Sequence, residues 1–230
     1  MPDVTIAGRD GPFSAYLATP AAGAGPGILV IQEIFGVNQV MRAICDGFAA
    51  QGYMALCPDI FWRQQPGVQI TDKTQTEWDK AFELFQGFDV DKGVEDLKDS
   101  LKHLREVDGC TGKAGSVGYC LGGKLAFLMA TRSDTDCSTS YYGIGLDEML
   151  DEAGAISHPT LLHIAEKDGF VPKEAQAKIA DALTGHARVT MHIYGGQDHA
   201  FARIGGEHYN AAAAELANGR TDDFLKQNLS

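Results

Sequence analysis

The stretch AGSVGYCLGGKLAF, Ala114 to Phe127, decides how the rest of the chain is read. It begins with a strand-like run, Ala114–Tyr119, and passes into Leu121–Thr131, where apolar residues recur at helical spacing. Between the two stands a single cysteine, Cys120, with Gly118 and Gly122 on either side. Strand, glycine-flanked turn and helix make the pattern of a nucleophile elbow, with sulfur where a serine hydroxyl usually stands. Such a turn is sharp enough to strain the residue at its apex, and side chains at the flanking positions would run into the strand and the helix. The thiol would project at a helix N-terminus, where the positive end of the peptide dipoles favours thiolate. The Leu121 N–H would face a developing oxyanion. The plainer alternative is a buried structural thiol, because free cysteine is among the most buried residue types.

Outward from this point, strand-like runs alternate with helix-period segments. The expected strands are Phe13–Leu17, Gly27–Ile31, Met54–Cys57, Ala114–Tyr119, Ser138–Tyr142, Thr160–Ala165 and Val189–Tyr194. The expected helices are Asn38–Gln51, Val90–Arg105, Leu121–Thr131, Lys173–Leu183 and Glu207–Gln227. This alternation predicts an α/β fold, a mostly parallel twisted sheet with helices on both faces and no large lid domain. With 230 residues and no break in composition, a single domain spanning 1–230 is expected. Ala21–Gly27 is glycine-rich but precedes a strand, so it reads as a surface loop and not a phosphate cradle. Asp59–Gly87 is the least regular segment, a proline-bounded loop followed by a helix from about Asp72 with Trp78, Phe82 and Phe85 on one face. Aromatics at that spacing usually face a core; the alternative is a pocket wall.

Composition excludes several classes. Nineteen basic and 31 acidic residues give a net charge of −12, which repels nucleic-acid phosphates and anionic membrane surfaces. No apolar run approaches the roughly 20 residues that span a bilayer. The opening MPDVTIAGRD lacks the basic start and apolar stretch of a secretion signal. Five cysteines without a C-x-x-C pair argue for free thiols in a reducing, cytoplasmic setting. The spacing of His186, His192, His199 and His208 is not that of metal ligands, so neither metal nor cofactor is expected. Nothing in the sequence indicates an oligomer, and monomer is the default.

A nucleophile of this kind needs a base and an acid, and α/β-hydrolases carry them later in the chain, acid before histidine. Asp168 follows the strand Thr160–Ala165 in AEKDGFVP, and His199 follows the next strand in YGGQDHAF. Open sheets put their chemistry at these carboxyl ends. Each has a duller reading, the aspartate as a turn former before glycine and the histidine as a solvated loop residue. Asp198 is the competing acid, but side chains of adjacent residues rarely point at one another.

These motifs resemble the dienelactone hydrolases, a family of small α/β-hydrolases that open an enol-lactone with a Cys-His-Asp triad. The resemblance is carried by QEIFGVN (Gln32–Asn38), YMALCPD (Tyr53–Asp59), VGYCLGG (Val117–Gly123), YYGIGL (Tyr141–Leu146), KDGFVP (Lys167–Pro172) and HAFAR (His199–Arg203), in order over most of the chain. It implies Cys120, His199 and Asp168 as the triad and Glu33 as a carboxylate exchanging a proton with the resting thiol. Read without the family, Glu33 is a solvated acid at a strand end. The resemblance also implies Ile34 beside Leu121 as the second oxyanion donor. It extends the expected substrate pocket to Phe35, Tyr142 and Phe170.

The match breaks where the family recognises a substrate carboxylate, through two arginines and a tyrosine. One arginine is retained as Arg203; the other falls at Trp78, the tyrosine at Phe82, and a serine after the histidine at Ala200. A single arginine in a chain of net −12 gives an anion weak support, so less polar lactones or esters are the expected small-molecule substrates. The thiol constrains them further. A thiolate adduct expels the weaker base, so an ordinary alkoxide would not leave, whereas an enolate or phenolate would. The competing classes are a peroxide-reactive thiol at Cys120 and a hydrolase scaffold that only binds ligands.

Overall fold

The computed structural model describes residues 3–230. They fall into two compact units that divide between Ser116 and Val117, inside one strand.

The first unit opens with β1 (Asp3–Gly8) and β2 (Gly11–Ala18), an antiparallel hairpin. β2 pairs antiparallel with β4 (Met54–Pro58), which pairs parallel with β3 (Gly25–Ile31), giving the order β1-β2-β4-β3. β1 was not expected from the sequence. It is an edge strand with only Ile6 buried, so it lacks the apolar alternation that marks a half-buried strand. β3 also begins earlier than expected, so the glycine-rich surface loop stops short of Gly25. A Cβ on Gly25 would lie 1.9 Å from the Gly52 carbonyl oxygen, which keeps that position glycine.

Three helices complete this unit. α1 (Gln39–Ala50) starts where the Asn38 side chain accepts from the Val40 and Met41 amides, and it buries Met41, Cys45, Phe48 and Ala49. α2 (Gln75–Gln86) begins at a reciprocal cap, with the Glu77 amide on Thr74 Oγ1 and that hydroxyl on Glu77 Oε2. α3 (Val90–Glu106) is capped by Asp89 and buries Val94, Leu97, Leu101 and Leu104 along one stripe. Asp96 on α3 is buried and answered by Arg63 at 2.7 and 2.9 Å and by the Trp62 indole N–H at 2.8 Å.

In the second unit the order is β5-β6-β7-β8: β5 (Cys110–Tyr119, entering from the first unit), β6 (Ser138–Tyr141), β7 (Thr160–Ala165) and β8 (Val189–Tyr194). β6, β7 and β8 pair in parallel. β6 and β7 are wholly buried, as strands covered on both faces should be. α4 (Leu121–Arg132) is buried from Leu121 to Gly123 and from Leu125 to Ala130, whereas α5 (Lys173–Leu183) buries only Ala175, Ile179 and Leu183. α6 (Ala211–Leu229) starts four residues later than expected, because the Asn210 side chain caps it by accepting from the Ala213 amide. Two 3-10 turns, Leu146–Glu148 and Leu150–Ala155, went unread in the sequence. No helix among the described residues is long and apolar enough to cross a membrane.

Candidate functional site

The second unit gathers the chemistry in three turns, each leaving the carboxyl end of a strand. The first is the turn from β5 into α4. Cys120 has φ 56° and ψ −114°, a strained backbone for a residue with a side chain. The turn closes because Gly118 packs on the start of the helix, where a Cβ would lie 1.8 Å from the Gly122 carbonyl oxygen. Gly123 is equally tight, with a Cβ site 2.6 Å from the Tyr141 carbonyl oxygen and 2.8 Å from Gly143 Cα. The Cys120 amide donates to the Tyr141 carbonyl at 3.1 Å, and its carbonyl accepts from Gly123 and Lys124 at 3.0 and 3.2 Å. Leu121 is the first helical residue, where an amide has no acceptor within its own helix. The sulfur residue is 7% exposed, buried but not sealed.

The second turn follows β7 and carries Asp168, 5% exposed. Its Oδ1 accepts the amides of Phe170 at 2.9 Å and Val171 at 3.2 Å. The third follows β8 and carries His199, 8% exposed. His199 Nδ1 stands 2.9 Å from Asp168 Oδ2 and 3.0 Å from Oδ1. Nε2 on the far side of the ring is buried and has no hydrogen-bond partner. Cys120 lies close enough to act on the ring through charge and hydrogen bonding, though Nε2 has no partner in tight, well-aligned geometry, a looseness common before substrate arrives. Burial alone would push the imidazole pKa down; the charge of Cys120 and the ring's hydrogen bonds to Asp168 and Cys120 overcome it and raise it to about 10.

Aromatic rings flank the imidazole, Tyr142 edge-on at 5.1 Å and Phe170 at 4.8 Å. Tyr142 is 1% exposed and Phe170 50%, so one ring is a fixed wall and the other faces solvent. Tyr142 directly follows β6 with φ 38°, its amide donating to the His163 carbonyl at 2.8 Å. Ala200 is buried with φ 61°, and Arg203 closes the same turn through its amide on the Ala200 carbonyl at 2.9 Å, its side chain half-buried. No group of three or more His, Cys, Asp or Glu placed to hold a metal occurs among the described residues. All five cysteines are free thiols.

The remaining expected residues lie in the first unit. Glu33, Ile34 and Phe35 follow β3 at 3%, 5% and 3% exposure, so Glu33 is buried and not the solvated strand-end acid that its position alone suggested. Phe35 meets Trp78 edge-on at 5.1 Å, and Trp78 stacks on Phe82 at 5.5 Å. The expectation that Trp78, Phe82 and Phe85 face a core fails. α2 buries Ala81 and Leu84, whereas Trp78 and Phe85 are half-buried and Phe82 is exposed. The ridge they form is free to line a pocket.

The sequence reading missed what Asp198 does. Weighed only as a rival acid, it bonds the His199 amide at 2.7 Å and the Gly169 amide at 3.0 Å. No local signal marks such a tie, because Gly169 stands 29 residues from Asp198 in a different turn.

Elbow, acid and histidine in this order on this scaffold define an α/β-hydrolase fold. A family model, the dienelactone hydrolase family, matches residues 13–229. The chain is 56% identical over 232 residues to the "Putative carboxymethylenebutenolidase" of Azospirillum brasilense, covering all of both chains. It is 39% identical over 223 residues to the carboxymethylenebutenolidase of Pseudomonas putida, covering 96% of this chain and 94% of that one. The crystal structure of "Putative Dienelactone Hydrolase" from Klebsiella pneumoniae subsp. pneumoniae superposes with a TM-score of 0.86 over 98% of both chains at 24% identity, which speaks for the fold. This chain belongs to the dienelactone hydrolase family, and it is a hydrolase of that kind.

Proposed function

We propose that this chain opens enol-lactones and cleaves activated carboxylic esters, with Cys120 as nucleophile, His199 as base and acid, and Asp168 holding the imidazole. The observation that carries the reading is the buried imidazole, bonded through Nδ1 to Asp168 and held at a pKa of about 10 against burial by Cys120 and Asp168. Such a ring keeps its proton across the neutral range and is placed to stabilise the thiolate form of the nucleophile.

The Cys120 thiolate forms a C–S bond to the carbonyl carbon, and the carbonyl electron pair moves onto oxygen, facing the Leu121 N–H. The adduct collapses by breaking the ester C–O bond, and the enolate or phenolate departs with the proton of His199. Water then attacks the thioester while giving a proton to neutral His199, the C–S bond breaks, and the carboxylic acid leaves a thiolate beside an imidazolium. The family resemblance adds Ile34 as a second oxyanion donor and Glu33 as a proton acceptor for the resting thiol. With apolar Trp78 and Phe82 and small Ala200 in place of the family's polar contacts, Arg203 is the remaining cation of that set, and neutral lactones and aryl esters are the favoured substrates.

The test is mass spectrometry of the protein mixed with a nitrophenyl ester. An acyl adduct on Cys120 that forms and decays with product release is expected, and Cys120→Ala should lack both. Oxidation of Cys120 by peroxide without ester turnover would replace this reading with a redox one.

A further inference from the structure

Asp198 stands beside the histidine, yet its carboxylate turns from the imidazole to the backbone. One oxygen, Oδ1, accepts two amides from two different turns, His199 N–H at 2.7 Å and Gly169 N–H at 3.0 Å. Gly169 directly follows Asp168, so this single oxygen ties the backbone of the acid to the backbone of the base. The second oxygen, Oδ2, lies 3.4 Å from Nδ1 of His208, which is itself 43% exposed. Two further bonds join these turns, the Lys167 amide on the Gln197 carbonyl at 2.7 Å and the Gly196 amide on Glu166 Oε2 at 2.7 Å, but they end one and three residues short of the catalytic pair, whereas Asp198 reaches the His199 amide itself. Gly169 has no side chain to pack, and Gly195 and Gly196 lead into the histidine turn.

We propose that Asp198 is a positioning residue, an ionic clamp that sets the approach of Asp168 to His199 Nδ1, with His208 as its solvent-facing neighbour. The proposal rests on the hydrolase reading above and extends it to a residue outside the triad. Amide bonds to a carboxylate are shorter and stronger than bonds to a neutral acceptor, so an ionised Asp198 holds both turns at once. Its carboxyl is partly buried, which opposes ionisation. The two amides and the nearby His208 and His199 outweigh that and keep its pKa below the ordinary value. The coupling is reciprocal: if a charged His199 favours ionised Asp198, then ionised Asp198 favours charged His199. The charged groups that bear on Asp198 are thus His199 and His208, with Asp168 one residue beyond its Gly169 contact.

The test compares Asp198→Ala with Asp198→Asn. Alanine removes the clamp, and kcat on a nitrophenyl ester should fall about 10- to 100-fold with KM little changed, the size expected when a catalytic pair is misplaced by a fraction of an ångström. Asparagine keeps an acceptor oxygen without the charge. It should recover most of kcat while moving the alkaline limb of the kcat/KM profile to lower pH. The downfield proton NMR signal of His199 Nδ1–H against Asp168 should broaden or vanish in Asp198→Ala and persist in Asp198→Asn. That signal needs no turnover, so its loss in Asp198→Ala alongside a wild-type chain that hydrolyses no ester would uphold the clamp and overturn the hydrolase reading. An Asp198→Ala protein with unchanged kcat and an intact Nδ1 signal would overturn the clamp, whatever its Tm. Should Asp198→Ala fail to fold, Asp198→Asn decides: an unmoved alkaline limb would overturn the proposal.

Discussion

Of the turns that leave the carboxyl ends of strands, Gln32–Asn38 after β3 and the Cys120 elbow after β5 are held in opposite ways. The first is clamped from a distance. Gly36, at φ 77°, pairs with Gln69 and passes so close to Val68 that a Cβ would lie 1.8 Å from its carbonyl oxygen. The Phe35 carbonyl accepts the Ile70 amide at 3.1 Å, and Asn38 Nδ2 donates to the Ile70 carbonyl at 2.8 Å. The elbow is closed mostly by its own residues, Gly118 against Gly122 and the Cys120 carbonyl against the first amides of α4. A turn that closes on itself must write its constraint into adjacent residues. A turn clamped from 32 residues away carries only Gly36 and Asn38 as local marks of it, and the rest of the clamp is backbone that many sequences could supply.

The sharpest way to break this comparison is chemical. Cys120→Ala should abolish the thioester and leave only a small residual ester turnover while keeping the Gln32–Asn38 turn intact, and Asp168→Asn should lower kcat by about 10³- to 10⁴-fold. The same Cys120→Ala protein sharpens the electrostatics. With the sulfur charge removed, the His199 pKa should fall from about 10, read by NMR titration of its ring protons. Because that pKa lies above the ordinary 6.5, the folded chain holds the proton more tightly than the unfolded one. The stabilisation is full below about pH 6.5 and is lost as pH rises through about 10. Denaturation midpoints of the wild-type chain from pH 6 to 10.5 should decline across that window and do so less in Cys120→Ala.

Stability separates the turns next. Gly118→Ala meets a backbone carbonyl inside a two-glycine turn and should cost more than about 3 kcal/mol, leaving little soluble protein. Gly36→Ala meets backbone as well and adds the strain of its positive φ, but the Val68 segment lies in an irregular loop able to shift. About 2–3 kcal/mol is expected by urea denaturation, and a cost above that of Gly118→Ala would reverse the comparison. Asn38→Ala removes both the α1 cap and the bond to Ile70, for about 1–2 kcal/mol. The smallest effect should come from specificity. Trp78→Arg is expected to raise kcat/KM a few-fold for a lactone bearing a carboxylate over its methyl ester, and an unchanged ratio would remove Trp78 from substrate recognition.

What could be read in the sequence follows the same division. The elbow, β7, α5 and the order of Asp168 and His199 were legible because apolar period and glycine spacing are local signals. β1 was not, since only Ile6 points into a core. The late start of α6 was hidden because Glu207–Tyr209 carry helical spacing, whereas the Asn210 cap sets the helix beginning. The aromatics of α2 misled for a related reason: their spacing is helical, but small Ala81 and Leu84 occupy the buried face. Ring contacts on His199 and the Asp198 clamp lie wholly in the tertiary structure, where no spacing rule reaches.

Among the described residues, the non-glycine positions with positive φ are Cys120, Tyr142 and Ala200, and each touches or adjoins the buried imidazole. An engineer selecting this scaffold for heat tolerance would therefore meet a trade-off at these three points. Glycine at 200 relaxes the backbone but also loosens the wall that keeps the ring in place, so a variant gained there should be tougher and slower, whereas glycine at 142 would empty a buried ring site and lose more than the relaxed backbone returns.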